Sequence, residues 1–207
     1  MALGETLSFS EQYQHLATTK AELLYKGFIS LPTLKLIHWM VENYYTTYKS
    51  VVRLFFTPDM EKLLERESKS TKARSAPDKN RQKLASLAIK IAPEGQTLIV
   101  FPDLRTMTND EISADVKKLS DDSTIVTLLS SNTQNQKDVH RWEIKKGLKS
   151  VIICTYAEIF QDFHNVKKII FVDPHKWYYA AQQDPRYKVG EVLSKMEELY
   201  GAEVEIV

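Results

Sequence analysis

The stretch that decides the fold is IIFVDPHKWYYAAQQDPRYKVGEV, residues 169–192. It begins with an uninterrupted apolar run at 169–172, which is typical of a strand buried on both faces of a parallel sheet. The run delivers Asp173 to the point where that strand ends, and ligands of open α/β sheets gather outside the carboxyl ends of their strands. The stretch therefore predicts a buried parallel strand followed by a candidate site.

Other short β-branched runs indicate the rest of the sheet. With KIIFV at 168–172, they are TLIVF at 97–101, STIVTLL at 123–129, SVIIC at 150–154 and AEVEIV at 202–207. Amphipathic segments separate these runs, and we expect helices over 80–92, 109–119, 133–146 and 187–200. Strands that alternate with helices predict an α/β fold, a parallel sheet with right-handed crossovers.

The N-terminal part of the chain has a different pattern. Apolar and aromatic side chains between residues 10 and 60 approximate a helical repeat, whose members are Leu34, Ile37, His38, Val41, Tyr44, Tyr45 and Tyr48. The segment SKSTKARSAPDKNRQK at 68–83 has six basic residues against one acid, which indicates a linker. We therefore expect a mainly helical segment at 1–60, a basic linker at 61–83 and an α/β domain at 84–207.

The composition excludes several classes of protein. The 28 basic and 27 acidic residues nearly cancel, so any affinity for nucleic acid has to come from a local patch. Cys154 is the only cysteine, which excludes an intrachain disulfide and a multi-cysteine metal cluster. No apolar run approaches the roughly 18 residues that cross a bilayer, and the N-terminus lacks the pattern of a signal peptide. We expect a cytoplasmic protein with no membrane partner.

The sequence lacks the parts of an ATP site. None of the six glycines begins the pattern GxxxxGKS or GxxxxGKT, whose backbone amides hold the phosphates of a nucleotide. Asp173 could hold a magnesium ion, but Pro174 offers no side-chain group that positions an attacking water. The histidines show no metal-ligand spacing. We therefore expect no cofactor, no metal and no catalytic residue, and in the simplest alternative Asp173 only caps the end of a strand.

Aromatic and basic residues share the stretch that follows Asp173. They are Trp177, Tyr178, Tyr179, Arg186, Tyr187 and Lys188. Exposed flat rings beside cations form a surface on which unpaired bases stack. The alternative is that Trp177 and one of the tyrosines pack beneath the loop as part of the core.

Five segments together resemble the primosomal replication-restart helicases (primosomal protein N-prime, PriA type), which are superfamily 2 motors. FPDLRTMT is similar to the family's VPEIxLTP, LLSSNTQNQKDVHRW to LHSGLxDxERxxxW, and CTYAEIF to GTRSALF. VDPHKWYYAAQQDPRYKVGEV resembles VDEEHxxxYKQQxxPRYxARDxA. WMVENYYTTYKSVVRLFFTP, in the helical segment 1–60, resembles WIADYYxxPxGEVLxxxLP, the end of the family's N-terminal DNA-binding domain. The resemblance covers the chain from about Leu36 to its last residue, and it implies a RecA-like parallel sheet flanked by helices.

The departures from the family pattern imply a loss of activity. The family's Asp-Glu-Glu-His motif is Asp173-Pro174-His175-Lys176 here, so Asp173 and His175 are vestiges of the motif for magnesium and ATP, and the catalytic Glu is absent. The matched segments also lack the winged-helix region, the phosphate-binding loop, the second motor lobe and the zinc-binding insertion. The stretch after Asp173 matches the family's aromatic-rich loop, which couples single-stranded DNA to the motor.

These observations predict a catalytically inactive, truncated helicase lobe that binds single-stranded or branched DNA in replication restart or repair. Besides the six aromatic and basic residues named above, we expect the cations of the linker to contact DNA: Lys69, Lys72, Arg74, Lys79, Arg81 and Lys83. One alternative is a scaffold that contacts a replication protein and no longer touches DNA. Another is an ATPase whose phosphate-binding loop comes from a partner chain.

Overall fold

The computed structural model describes residues 28–56, 91–108, 124–175, 180–181 and 183–207. The strands in these ranges are β1 Gln96–Phe101, β2 Ile125–Leu128, β3 Val151–Thr155, β4 Val166–Phe171 and β5 Glu203–Ile206. The helices are α1 Leu31–Asn43, α2 Tyr48–Phe55, α3 Leu104–Met107, α4 Gln134–Lys145 and α5 Val189–Tyr200, with a 3-10 turn at Tyr156–Glu158.

The five strands form one sheet in the order β2-β3-β1-β4-β5, and every pair is parallel. β1 lies at the centre, where Leu98 is paired with Ile152 of β3 on one side and with Ile169 of β4 on the other. Each predicted strand is present, and the α/β class is confirmed. The continuous apolar runs result from this arrangement, because the central strands are covered on both faces.

Side chains of successive strand residues point to opposite faces, and they divide the core in two. Leu98 and Val100 belong to the larger cluster, which also takes buried residues from α1, α2, α4 and α5. Ile99 and Phe101 belong to the smaller cluster on the other face, together with Met107 of α3. The described part of the N-terminal segment therefore shares a hydrophobic core with the sheet.

Local signals explain where the predicted helices begin and end. α4 begins with a capping box between Thr133 and Gln136, and α5 ends at Gly201, whose φ of 62° is unfavourable for a residue with a Cβ. These two helices confirm the predictions over 133–146 and 187–200. The predicted helix over 109–119 and the linker lie outside the described residues, as does the predicted helix over 80–92 apart from residues 91 and 92, which are not helical.

A buried polar cluster fixes the start of α1 to the sheet. The Asp162 carboxylate, in the loop between β3 and β4, accepts hydrogen bonds from Thr33 Oγ1 (2.7 Å) and Lys145 Nζ (2.6 Å). Thr33 Oγ1 is also hydrogen-bonded to the Tyr200 hydroxyl at 2.6 Å. Because these side chains come from α1, α4 and α5, the cluster connects three helices on the face of the sheet that the larger core cluster covers.

Candidate nucleic-acid interface

Asp173 ends the ladder between β4 and β5. Its N–H donates to the Val207 carbonyl (2.7 Å), and the Val207 N–H donates to the Phe171 carbonyl (3.1 Å). The φ of Asp173 is 51°, in the left-handed region that aspartate tolerates better than most residues. Its backbone thus turns the chain at the strand end, and His175 beyond it is exposed.

A second carboxylate at this edge of the sheet belongs to Asp103, which follows β1. Its Oδ1 accepts from the Thr106 N–H (2.6 Å) and its Oδ2 from the Thr106 hydroxyl (3.2 Å), so it caps the short helix α3. Within the described ranges, no group of three or more His, Cys, Asp or Glu side chains is arranged to hold a metal ion. In the described ranges the Asp103 carboxylate is therefore a helix cap, whereas at Asp173 it is the backbone that turns the chain.

The segment after β4 folds back on itself. Ala180 and Lys188 form an antiparallel bridge, and the Ala181 N–H donates to the Tyr187 carbonyl (2.8 Å). Residues 177–179 directly precede this bridge in sequence. The predicted DNA contacts Trp177, Tyr178 and Tyr179 lie outside the described residues, and so do Lys69, Lys72, Arg74, Lys79, Arg81 and Lys83.

The prediction that the Tyr187 ring stacks on unpaired bases is wrong for this structure. The residue is 5% exposed, and its ring packs edge-on against Phe160 with centroids 4.8 Å apart. Burial raises the pKa of its hydroxyl. Residues 186–189 alternate between solvent and core, so Tyr187 and Val189 point inward while Arg186 and Lys188 are exposed.

Arg186 and Lys188 are the predicted contacts that the structure places at the surface. Lys188 Nζ lies 3.1 Å from Glu191 Oε1, and the hydrogen bond from Lys188 contributes most to lowering the pKa of Glu191. The Tyr44 hydroxyl donates to the other oxygen of Glu191 (2.9 Å). The exposed basic segment is therefore attached to the end of α1.

A second contact joins the same segment to the turn between α1 and α2. Thr46 Oγ1 donates to both carboxylate oxygens of Asp184, at 2.8 and 3.0 Å. Hydrogen bonds from Ser50 and Thr46 lower the pKa of Asp184, with a further contribution from the charge of Arg186. The α1–α2 turn and the Arg186–Lys188 segment consequently form one continuous surface.

Tyr45 was predicted to belong to a helical apolar repeat, and the structure places it outside any helix. α1 ends at Asn43, and Tyr45 lies in the turn with a φ of 49° and 97% of its surface exposed. Leu34 and His38, two other members of the repeat, are also exposed. The signal that could have identified the turn is the run of hydroxyl residues Thr46 and Thr47, because threonine is a common N-cap and Thr47 caps α2.

Arg141 lines two small clefts. Its Nε and Nη1 atoms are buried without a hydrogen-bond partner, and so is Oε1 of Gln161 in the second cleft. Burial lowers the pKa of Arg141, while the charges of Glu158 and Asp138 oppose that shift. Lys137 of the second cleft also forms an ion pair with Glu158, with Nζ 2.9 Å from Oε1.

No protein-family model matches the chain, and no curated protein is significantly similar to it. The fold itself assigns the protein to the α/β class, with a sheet of five parallel strands. Several residues that carry the resemblance to the helicase family are buried, among them Trp142, Thr155, Phe160 and Tyr187. None of the helices in the described ranges has the length and apolar character that a bilayer span requires.

Proposed function

We propose that the protein is a catalytically inactive relative of the first lobe of the PriA-type helicases and that it binds single-stranded or branched DNA in replication restart or repair. The observation that carries the proposal is the exposed pair Arg186 and Lys188, on a segment that follows the carboxyl end of β4. Ligands of open α/β sheets gather at that edge. We further propose a cytoplasmic location, because a role on chromosomal DNA requires access to it.

The local structure supports a binding role for this segment in two ways. The alternation of residues 186–189 buries Tyr187 and Val189 and leaves the two cations in water. The contacts from Thr46 and Tyr44 hold the segment against α1 and its turn. A basic segment that is ordered before binding loses less conformational entropy when it contacts a phosphate.

Absence of ATP hydrolysis is part of the same proposal. The sequence has no phosphate-binding glycine loop, and Pro174 replaces the acid that follows the aspartate in the helicase motif. Asp173 adopts a left-handed backbone whose N–H bonds to Val207. We propose that these residues now end a strand and perform no chemistry.

Fluorescence anisotropy with labelled single-stranded and forked oligonucleotides, over a series of salt concentrations, tests the binding. We expect the logarithm of the association constant to fall linearly with the logarithm of the salt concentration, by about 0.7 per neutralised phosphate of a single strand. Phosphate release from ATP, measured with and without DNA, should stay at background. Absence of salt-dependent binding would contradict the proposal and favour the scaffold alternative, whereas DNA-stimulated phosphate release would favour the ATPase alternative.

A further inference from the structure

The turn between α1 and α2 holds an aromatic ring in water. Tyr45 is 97% exposed and adopts a φ of 49°, which is uncommon for a bulky residue. Its neighbours are held on both sides, since the Tyr44 hydroxyl donates to Glu191 and the Thr46 hydroxyl donates to Asp184. The Tyr44 ring also packs edge-on against Trp39, with centroids 5.6 Å apart. The Tyr45 ring therefore lies outside the core, on a turn that hydrogen bonds hold on both sides.

The helix that follows this turn, α2, carries two exposed cations. Val51 and Phe55 are buried, whereas Lys49 and Arg53 are exposed on the opposite face. Residues four apart lie one turn apart on the same side of a helix, about 6 Å along its axis. Among the described residues, neither cation forms an ion pair with a carboxylate.

The carboxylates near the turn already have partners. Asp184 accepts from Thr46, Glu191 binds Lys188 and Tyr44, and Glu42 lies 3.3 Å from His38. Among the described residues of this surface, Lys49, Arg53 and Arg186 form no salt bridge with a carboxylate. The last of these follows Asp184 by two residues, so the bond from Thr46 places it on the same side of the molecule as the turn.

We propose that Tyr45, Lys49 and Arg53 form a contact surface for single-stranded nucleic acid, which extends the Arg186–Lys188 segment across the α1–α2 turn. Lys49 follows Tyr45 by four positions, so their Cα atoms are at most about 14 Å apart, a distance that a short stretch of nucleotides bridges. The ring stacks on a base, and the two cations contact phosphates. This inference rests on the proposed function and names a site for it.

The ligand chemistry follows from the composition of the surface. A protein partner would favour an apolar patch around the aromatic residue, as in the core of a protein interface. Here the exposed ring precedes Thr46 and Thr47, and the exposed cations Lys49 and Arg53 lie on the helix that follows. An exposed ring together with exposed cations suits a single-stranded nucleic acid, because every nucleotide combines a flat base with a phosphate.

The test compares variants of the full chain in anisotropy measurements with a labelled oligothymidylate. Tyr45→Asn removes the ring and suits a left-handed backbone, so we expect an intact fold and an affinity about 5-fold to 100-fold weaker. Tyr45→Phe keeps the ring and should bind as the wild type does. Thermal unfolding of each variant checks that the turn is intact.

The cations are tested by Lys49→Gln combined with Arg53→Gln. We expect the magnitude of the slope of log association constant against log salt to fall by about 1.4, or about 0.7 for each lost phosphate contact. The matched control combines Lys35→Gln with Lys167→Gln, two exposed lysines on α1 and β4, and should leave the slope unchanged.

The outcomes separate this inference from the proposed function. If the wild type binds with a clear salt dependence and the Tyr45→Asn and double-glutamine variants bind equally well, this surface is not a contact site and the proposed function stands. If the wild type shows no salt-dependent binding, both are overturned. Weaker binding by Tyr45→Asn and by Tyr45→Phe alike would also contradict the role given to the ring.

Discussion

Replacing Asp162 by alanine should destabilise the fold more than any change to a surface ion pair. The side chain is 6% exposed, and its carboxylate accepts from Lys145 Nζ, Thr33 Oγ1 and, at 3.3 Å, the Ser30 N–H. The substitution removes the acceptor for all three donors. The ammonium of Lys145, which is only 19% exposed, then loses its counter-charge.

The size of the effect follows from what remains after the substitution. Removing one partner of a buried ion pair costs about 3–5 kcal/mol, because the other charge stays buried. Lys145 also donates to the Phe28 carbonyl, and Thr33 stays hydrogen-bonded to Tyr200. Since these contacts survive, we expect the lower end, about 3 kcal/mol. That is a large fraction of the roughly 5–15 kcal/mol that stabilises a typical domain.

Urea denaturation measures this loss. The urea concentration at the midpoint of unfolding should fall, while the slope of the unfolding free energy against urea concentration should stay unchanged. The melting temperature should fall by about 6–12 °C for a chain of this size. As a control, Glu198→Ala removes a pair with Lys195 in which Glu198 is 66% exposed, and its effect should stay within about 0.5 kcal/mol. Adding Lys145→Met to Asp162→Ala should recover about 1–2 kcal/mol, because no unpaired charge remains.

The buried ion pair is not the source of this stability if Asp162→Ala lowers the free energy of unfolding by less than about 1 kcal/mol, as little as the change to the surface pair does. That result would mean that the apolar contacts of α1 alone hold this helix to the sheet. A double variant no more stable than Asp162→Ala would show that the buried charge of Lys145 is not the source of the cost.

Three further predictions concern the binding surface and its attachment. Tyr179→Ala and Arg186→Ala should each weaken binding to single-stranded DNA without lowering the melting temperature, and wild-type affinity in both would exclude this loop as the DNA site. Exchanging the linker cations Lys69, Lys72, Arg74, Lys79, Arg81 and Lys83 for glutamine should flatten the salt dependence of binding, by up to about 4 in slope if all six contact phosphates; an unchanged slope would make the segment only a linker. Hydrogen bonds from Ser50 and Thr46 hold the pKa of Asp184 below its unfolded value of about 3.9. The stability that the ionised Asp184 carboxylate contributes is therefore present above that pH, and it is lost as the pH falls through the folded pKa. Urea midpoints measured from neutral to acidic pH should thus decline more steeply for the wild type than for Asp184→Asn, and parallel curves would contradict this role.

The strands, the class of sheet and the helices with local capping signals can all be predicted from the amino-acid sequence. A strand covered on both faces must be apolar at every position, so runs such as those in β1 and β3 identify it without knowledge of its neighbours. Capping residues at Thr133 and a left-handed glycine at 201 act within a few residues of the helix ends that they define. Physical causes of such short range can be recognised along the chain.

Which aromatic residues are exposed to solvent depends on contacts that form only in the tertiary structure. Tyr187 became a core residue because Phe160, 27 positions earlier, offers an edge-on contact, while Tyr45 became a surface residue because α1 ends before it. The hydroxyl of Thr46 reaches Asp184 across 138 positions of sequence. Tyrosine suits both environments, since its ring is apolar and its hydroxyl is polar, so its position depends on partners that folding brings together from distant parts of the chain.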